Sequence, residues 1–348
     1  MAELERRLVG DAPGTGLAPD LASALPEAAS YVLVVFDGLG TTQLEHPAAA
    51  DLRASLAGTL HAPFPTTTTV SLATVATGLS PTGHGVIGHF VWLPGLGVVN
   101  TLKWISPFGE RLDVDTSGFL PSPNLWERLA AAGLEPITVQ PGDFAGSPLS
   151  RALYRGCRFE PVYGERELAE AVTDLAAEPG RLVFTYLPHV DFAAHVWGQA
   201  STQYADAMRT VAVTWDAIRR RLPSGAALVG TSDHGHLDYA AEDKILVRAA
   251  AYDDLLFWGD PRGLLVRGDG RTIDKLAAEV GATSIFPEDL SVLWGPGERH
   301  PELASRTPDR LLLSPEGHVL LPRGFDKRLT GYHGGLAPDE VEIPLLVG

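Results

Sequence analysis

Five short apolar runs limit the folds open to this chain more than any other feature of its sequence, and four of them lead directly into polar residues. The runs are YVLVVF from Tyr31, PITVQP from Pro136, RLVFTYL from Arg181, AALVGTS from Ala226 and VEIPLLVG at the end. Runs of this length, rich in β-branched residues and without polar alternation, are typical of strands buried on both faces. Segments with helical spacing separate them, so the sequence predicts an α/β fold with a mainly parallel central sheet and helices on both faces.

Three of the separating segments have helical character, at residues 122–135, 165–180 and 202–222. In the first of them, Ser122 or Asn124 is suited to cap the helix start, and Gly133 is suited to end it. Helical spacing also follows Thr68, in TVSLATVATG. A helix that begins there would present its N-terminal N–H groups to a bound anion.

The interval 237–330 has a different composition from the rest of the chain. It is rich in glycine and proline, as in GDPRG and WGPGERHP, and it carries the short strand-like pieces GLLVR and LLLSPEGHVLL. We predict one domain over residues 1–348, with 237–330 as a small α+β insertion within it. An independent second domain over the same interval is the alternative.

The charge balance of the chain argues against two classes of binding partner. Lys and Arg number 27 against 43 Asp and Glu, a formal net charge of −16, which argues against a nucleic-acid polymer or an anionic membrane as the main partner. An anionic substrate must therefore meet positive charge that is supplied locally, for example by metal ions. The only cysteine is Cys157, so neither an internal disulfide nor a cysteine metal cage can form. We see no signal peptide and no apolar run of the roughly 18 residues that a membrane span needs, so a cytoplasmic location is expected.

Acidic residues and histidines follow three of the predicted strands. Asp37 follows the first run, Asp191 the third, and the adjacent pair Asp233 and His234 the fourth. In an open α/β sheet, ligands bind beyond the carboxyl ends of the strands, so these side chains are expected to meet. Asp191 and His195 are four residues apart and would face the same way on a helix, where they could share one cation. A helix-capping Asp191 beside an unrelated His195 is the alternative.

Two more histidines lie in glycine-containing segments. His333 stands between glycines in GYHGG, just before the last strand, and would complete a ligand set. His236, in SDHGH, is a third candidate of that segment, but a loop histidine that hydrogen-bonds nearby backbone is the favoured interpretation. Without His236, the candidates are six nitrogen or oxygen ligands. Three ligands per metal is the pattern of catalytic zinc sites, which keep a position open for water or substrate.

Five motifs in this order resemble the alkaline phosphatase superfamily, and most closely its nucleotide pyrophosphatase/phosphodiesterase branch. They are Asp37 after the first strand, TGLSPTGHG, YLPHVDFAAHVWG, SDHGH and GYHGG. The resemblance implies two zinc ions. One would be held by Asp191, His195 and His333; the other would be held by Asp37, Asp233, His234 and the oxygen of the nucleophile. Mn²⁺ suits the same ligands.

The resemblance also implies a threonine nucleophile and a covalent intermediate that water hydrolyses. The nucleophile of the family lies nine residues before the threonine of a Thr-Gly pair, here Thr77, which selects Thr68 among the four threonines from Thr66 to Thr69. Its neighbours Thr67 and Thr69 are chemically identical, so a shift of one residue stays open. Three residues on, the family has a phosphate-binding asparagine, and this chain has Ser71, whose shorter hydroxyl can also donate.

The absence of any Lys or Arg between Arg53 and Lys103 favours a singly charged substrate, because dianionic monoesters usually meet such a cation as well as metals. We therefore predict a metal-dependent hydrolase of phosphodiester or nucleotide pyrophosphate bonds in small molecules. A phosphomonoesterase or phosphonate hydrolase with the same metals is the enzymatic alternative. A catalytically silent metal-binding module is the alternative from another class.

Overall fold

A seven-stranded sheet forms the centre of the protein in a computed structural model that describes all residues 1–348. The protein has seventeen strands: β1 Ser30–Phe36, β2 Leu56–His61, β3 Phe90–Leu93, β4 Gly97–Asn100, β5 Glu135–Pro141, β6 Arg158–Val162, β7 Arg181–Leu187, β8 Ala226–Ser232, β9 Leu237–Asp238, β10 Lys244–Val247, β11 Leu256–Gly259, β12 Gly263–Arg267, β13 Thr283–Ile285, β14 Arg310–Leu313, β15 Val319–Pro322, β16 Gly331–Tyr332 and β17 Glu342–Val347. The central sheet has the order β2-β17-β8-β1-β7-β5-β6. Strands β8, β1, β7, β5 and β6 are parallel, and β17 and β2 add an antiparallel edge. The mainly parallel sheet predicted from the sequence is confirmed.

Helices cover both faces of the central sheet. The fourteen α-helices are α1 Ala2–Val9, α2 Pro19–Ala24, α3 Ala50–Arg53, α4 Thr68–Thr77, α5 Pro81–His84, α6 Leu125–Ala131, α7 Pro148–Leu153, α8 Glu165–Ala176, α9 His189–Trp197, α10 Thr202–Arg221, α11 Gly270–Val280, α12 Leu290–Leu293, α13 Leu303–Arg306 and α14 Pro338–Val341. None of them is both long enough and apolar enough to cross a membrane.

Strand β1 shows why its run carries no polar alternation. Tyr31, Leu33 and Val35 enter one hydrophobic core, which also contains residues of α4 and α6. The intervening residues of β1, which are Val32, Val34 and Phe36, enter a second core together with residues of α8 and α10. Because a strand turns successive side chains to opposite faces, a strand with a core on each side must be apolar throughout.

The helix boundaries follow from local capping chemistry. Asn124, one of the two predicted caps, accepts a hydrogen bond from the Glu127 N–H, and the Glu127 carboxylate accepts one from the Asn124 N–H. Such a capping box satisfies two N–H groups that the helix cannot satisfy itself. Helix α4 ends at Gly78, whose φ of 71° is the left-handed conformation that favours glycine.

A second, six-stranded antiparallel sheet has the order β13-β14-β12-β11-β3-β4 and its own hydrophobic core. Four of its strands come from the interval 237–330, but the hairpin β3–β4, at residues 90–100, joins them from outside that interval. The sequence did not reveal this, because the contact pairs Phe90 with the distant Gly259. The domain boundaries predicted for 237–330 stay a prediction.

Candidate metal centre

The predicted ligands that follow β1, β7 and β8 meet at one edge of the central sheet. In the parallel register, Phe36 at the end of β1 lies beside Leu187 of β7 and Ser232 of β8, so these strands end level with one another. Asp37 continues from β1 and Asp233 from β8, and both side chains are buried. The topology thus brings together residues that lie almost 200 positions apart in the chain.

Asp37, Asp233 and His234 form one group of possible ligand atoms. The Nε2 atom of His234 lies 3.5 Å from Asp37 Oδ1 and 3.6 Å from Asp233 Oδ2. The hydroxyl of Thr68 lies 3.3 Å from the same Nε2 atom. These separations suit four atoms arranged around a single cation, since ligands about 2.0–2.2 Å from a tetrahedral zinc ion lie roughly 3.3–3.6 Å from one another.

A second group gathers around Asp191, which lies in the first turn of α9. His195 is one turn later, and its Nε2 atom is 3.3 Å from Asp191 Oδ2, as the four-residue spacing predicted. The Nε2 atom of His333 is 3.7 Å from Asp191 Oδ1. His236 also belongs here, with Nδ1 3.0 Å from Asp191 Oδ1. Gly38 makes room for this helix, since a Cβ at Gly38 would lie 2.9 Å from the Asp191 Cβ.

Backbone carbonyls orient three of the four histidines. The Nδ1 atoms of His195, His234 and His333 lie 2.8, 2.9 and 2.8 Å from the carbonyl oxygens of Gly331, Gly235 and Thr66 respectively. A carbonyl only accepts, so each Nδ1 carries the proton and donates it. Each Nε2 therefore keeps a free lone pair, and that lone pair faces the carboxylates. This arrangement is the usual way in which proteins prepare histidine for a metal.

Buried oxygen atoms without partners indicate what the centre binds. Asp37 Oδ1 and Asp233 Oδ2 are buried and accept no hydrogen bond from the protein. The other Asp37 oxygen accepts from the Tyr186 hydroxyl, and the other Asp233 oxygen accepts from the N–H of Gly38 at 3.0 Å. Buried carboxylates are costly unless paired or bound to a cation. The donor set of oxygen and imidazole nitrogen, without thiolate, fits divalent ions such as Zn²⁺ or Mn²⁺.

The pKa values of the carboxyl groups reflect the same crowding. Burial raises the pKa of Asp37 well above its usual range, and the negative charges of Asp191 and Asp233 raise it further. Burial also raises the pKa of Asp233, partly opposed by His234. Asp191 is different, because His195 and the other histidines around it outweigh the effect of burial and hold its pKa well below the ordinary value. Three carboxyls this close repel one another, and positive charge between them removes the repulsion.

The four consecutive threonines are separated by their hydrogen-bond partners. The Thr66 hydroxyl donates to the Gly335 carbonyl at 2.9 Å, and the Thr69 hydroxyl donates to the Gly88 carbonyl at 3.1 Å. The Thr67 hydroxyl is buried and has no hydrogen-bond partner, whereas the Thr68 hydroxyl lies 3.3 Å from His234 Nε2 in the first ligand group. Thr68 is also the first residue of α4, and the N–H groups of Thr68 and Thr69 donate to no backbone acceptor. An anion beside Thr68 would therefore meet free N–H donors.

The family model described as "Type I phosphodiesterase / nucleotide pyrophosphatase" matches residues 31–259. This match covers most of the chain and includes Asp37, the threonine segment and the ligands as far as His234. The chain belongs to this family. The resemblance predicted from the five motifs is thereby confirmed.

Solved structures of related fold cover nearly the whole chain. Murine ectonucleotide pyrophosphatase/phosphodiesterase 5 has a TM-score of 0.67 at 18% identity, covering 91% of this chain and 87% of the murine chain. Phosphonoacetate hydrolase from Sinorhizobium meliloti 1021, in complex with phosphonoformate, has a TM-score of 0.68 at 19% identity, covering 93% and 91%. At these identities the likeness shows the shared fold. No curated protein sequence matches the chain.

His236 and Ser71 make contacts that the sequence did not predict. His236 was expected to be a loop histidine bonded to nearby backbone; instead it is fully buried, and neither ring nitrogen bonds to backbone. That expectation was wrong because β16 closes over the ring, which the local sequence does not show.

The Ser71 hydroxyl donates to the Asp233 carbonyl at 2.7 Å. Its phosphate-binding role stays a prediction, and it requires that bond to be released.

Tyr186 and Asp260 are buried polar residues that no recognisable motif marks. Tyr186, near the end of β7, donates to Asp37. Asp260, in the turn between β11 and β12, is buried and accepts a hydrogen bond from the N–H of His89 at 3.2 Å. Burial raises the Asp260 pKa to about 7, although the hydrogen bond from the His89 N–H opposes that shift. Their contacts depend on the fold, so no local pattern could have identified these two residues.

Proposed function

We propose that this protein hydrolyses phosphodiester or nucleotide pyrophosphate bonds, using two divalent metal ions and Thr68 as the nucleophile. The observation that carries the proposal is the place of the Thr68 hydroxyl, 3.3 Å from His234 Nε2 and beside two groups of carboxylates and histidines. The inactive variant of the murine relative, in which alanine replaces a threonine, was solved in complex with AMP. An essential threonine and a nucleotide ligand in that relative both support the proposal.

Asp191, His195 and His333 would hold one metal ion. Asp37, Asp233, His234 and the Thr68 oxygen would hold the other. Two divalent cations, with Zn²⁺ expected and Mn²⁺ as the alternative, would lower the pKa of the threonine hydroxyl and neutralise charge on the phosphoryl oxygens. The protein's part is to hold these ligands in position, since buried side chains and backbone carbonyls fix their orientation.

Thr68 would act in two half-reactions. In the first, the Oγ1 atom loses its proton and forms a bond to phosphorus, the bond from phosphorus to the leaving oxygen breaks, that oxygen takes up a proton, and a phosphothreonine ester remains. In the second, water attacks phosphorus and loses a proton, the bond to Oγ1 breaks, and Oγ1 takes up a proton, which restores the threonine hydroxyl. The free N–H groups at the start of α4 are suited to stabilise the negative charge of the phosphoryl group during both steps.

The charge of the site favours a monoanionic substrate. No Lys or Arg forms an ion pair with Asp37, Asp191 or Asp233. A dianionic monoester usually binds such a cation in addition to metals. Phosphodiesters and pyrophosphate linkages carry less charge at the reacting phosphorus and are therefore better matched.

A substrate panel on zinc-loaded protein tests this function. The panel contains a phosphomonoester, bis-p-nitrophenyl phosphate, a dinucleotide pyrophosphate and a phosphonate. We expect the highest kcat/KM with the diester or the pyrophosphate, and no turnover after chelation. Preference for the monoester or the phosphonate would replace the proposed substrate class by the enzymatic alternative. Loss of all four activities in protein that retains two metals would favour the silent metal-binding module. The cytoplasmic location stays a prediction that cell fractionation can test.

A further inference from the structure

His236 lies inside the metal centre, yet it has none of the anchors that hold the other three histidines. It is 0% exposed, and its ring centroid is 4.7 Å from that of His195. His195, His234 and His333 each donate Nδ1–H to a backbone carbonyl, but no backbone carbonyl receives a proton from His236. The His236 ring therefore lacks the backbone hydrogen bond that orients the three other histidines.

The two ring nitrogens of His236 face different surroundings. Nε2 is packed against the backbone of Gly331, where an added Cβ would lie only 2.1 Å away. Nδ1 is 3.0 Å from Asp191 Oδ1, and no other group of the protein hydrogen-bonds to either of these two atoms. A neutral imidazole carries one proton. A proton on Nε2 would be buried against carbon, whereas a proton on Nδ1 has a carboxylate acceptor at hydrogen-bonding distance.

The backbone at His236 is held independently of its ring. Its carbonyl oxygen accepts hydrogen bonds from the side-chain amides of Gln43 at 2.9 Å and Gln199 at 3.2 Å. The ring is thus presented to Asp191 from a fixed position. A donor held in this way can restrict the rotation of a carboxylate that a metal must use.

We propose that His236 is a positioning residue, which donates Nδ1–H to Asp191 and orients this carboxylate toward His195 and His333. His236 does not itself bind the metal. With Oδ1 held by His236, Oδ2 of Asp191 faces the His195 Nε2 atom at 3.3 Å. The inference rests on the metal site of the proposed function. Such outer partners typically raise metal affinity or activity by about 10–100-fold.

Two substitutions with side chains of similar size test whether the N–H donor of His236, rather than the bulk of its ring, affects metal binding. The side-chain amide of His236→Asn offers an N–H donor near the position of Nδ1, while His236→Leu offers none. Zinc binding is measured by competition with a chromophoric chelator. We expect His236→Leu to lose about 10–100-fold in affinity at one of two sites, and His236→Asn to remain close to the wild type. His318→Leu, at a histidine that belongs to neither ligand group, controls for the loss of an imidazole and should bind zinc normally.

The outcomes are distinguishable from failure of the proposed function. Wild-type protein that binds no zinc overturns the metal site itself. If the wild type binds two zinc ions, unchanged affinity in His236→Leu, or equal weakening in both variants, overturns the positioning role. A measurement on the zinc-loaded wild type avoids dependence on variant folding: the ¹⁵N shifts of the His236 ring should show a protonated Nδ1 and an unligated Nε2. A zinc-bound nitrogen in that ring would contradict the proposal.

Discussion

At the scale of single residues, hydrogen-bond partners distinguish the four identical threonine side chains from Thr66 to Thr69. Thr66 and Thr69 donate their hydroxyl protons to backbone carbonyls, and Thr68 faces the carboxylates and histidines. The sequence alone left Thr67, Thr68 and Thr69 as alternatives, because composition does not distinguish them. Spacing from Thr77 selected Thr68, and the structure places that hydroxyl beside His234.

Thr68→Ala removes the proposed nucleophile but none of the six Asp and His ligands. We expect kcat for a diester to fall at least about 1,000-fold while zinc content stays at two ions per chain. Thr69→Ala is the matched control; it loses one hydrogen bond, which costs about 1 kcal/mol of unfolding free energy, and should keep most of its activity. Full activity in Thr68→Ala with none in Thr69→Ala would move the nucleophile by one residue.

Tyr186 offers a second test at this scale, because its hydroxyl donates to the Asp37 carboxylate. Burial and the nearby carboxylates raise the Tyr186 pKa well above its ordinary value, so the hydroxyl stays a donor at working pH. We expect Tyr186→Phe to weaken zinc binding at the Asp37 site about 10-fold or more. Tyr163→Phe, at a tyrosine that is 80% exposed, should bind zinc as the wild type does. Equal zinc affinity in both variants would contradict a role for Tyr186.

At the scale of helices and strands, local sequence patterns predicted the helices. They did not predict the pairing of strands that lie far apart in the chain. The spacing of apolar residues predicted α6, α8 and α10, and of the two predicted caps, Ser122 and Asn124, it is Asn124 that forms the capping box. The hairpin β3–β4 was missed because its partner strand lies about 160 residues further along. The proximity of the candidate ligands Asp37, Asp233 and His234 could be predicted because parallel strands that end level must bring their carboxyl ends together. His236 and Tyr186 depend on contacts between elements, which no local pattern contains.

The contact between α4 and α5 makes stability sensitive to acid. The His84 Nε2 atom is 3.0 Å from the Thr74 hydroxyl, and Nδ1 accepts from the Val86 N–H at 3.1 Å. Burial, aided by the positive charges of His300 and Arg306, lowers the His84 pKa from 6.5 to about 3. The unfolded chain therefore binds a proton below pH 6.5 that the folded protein does not bind. This contribution is full above pH 6.5 and is lost as the pH falls toward 3.

His84→Gln removes the imidazole that binds this proton in the unfolded chain. Between about pH 6 and pH 4, we expect the unfolding free energy of the wild type to fall more steeply than that of His84→Gln, by up to about 1.4 kcal/mol per pH unit. Urea unfolding at several pH values measures both slopes. His61→Gln, at an exposed histidine, should keep the slope of the wild type. Equal slopes in His84→Gln and the wild type would show that His84 does not carry the effect.

At the scale of the whole molecule, a chain of net charge −16 encloses three buried carboxylates at one edge of its sheet. Positive charge at that edge relieves their repulsion, so metal binding and stability are linked. We expect chelation to lower the melting temperature and zinc to restore it, with the gain growing with zinc concentration. A double variant, Asp191→Asn with Asp233→Asn, should show little response to zinc. A melting temperature of the wild type that is unchanged by chelation would contradict this linkage.

Zinc titration into chelator-treated protein, with hydrolysis of bis-p-nitrophenyl phosphate followed at each step, tests the central claim most directly. We predict that activity is absent from metal-free wild type and reaches its plateau at two zinc ions per chain. Thr68→Ala should bind the same two ions and stay inactive. Hydrolysis by the metal-free protein, or a Thr68→Ala variant that regains activity with zinc, would contradict a two-metal mechanism with Thr68 as its nucleophile.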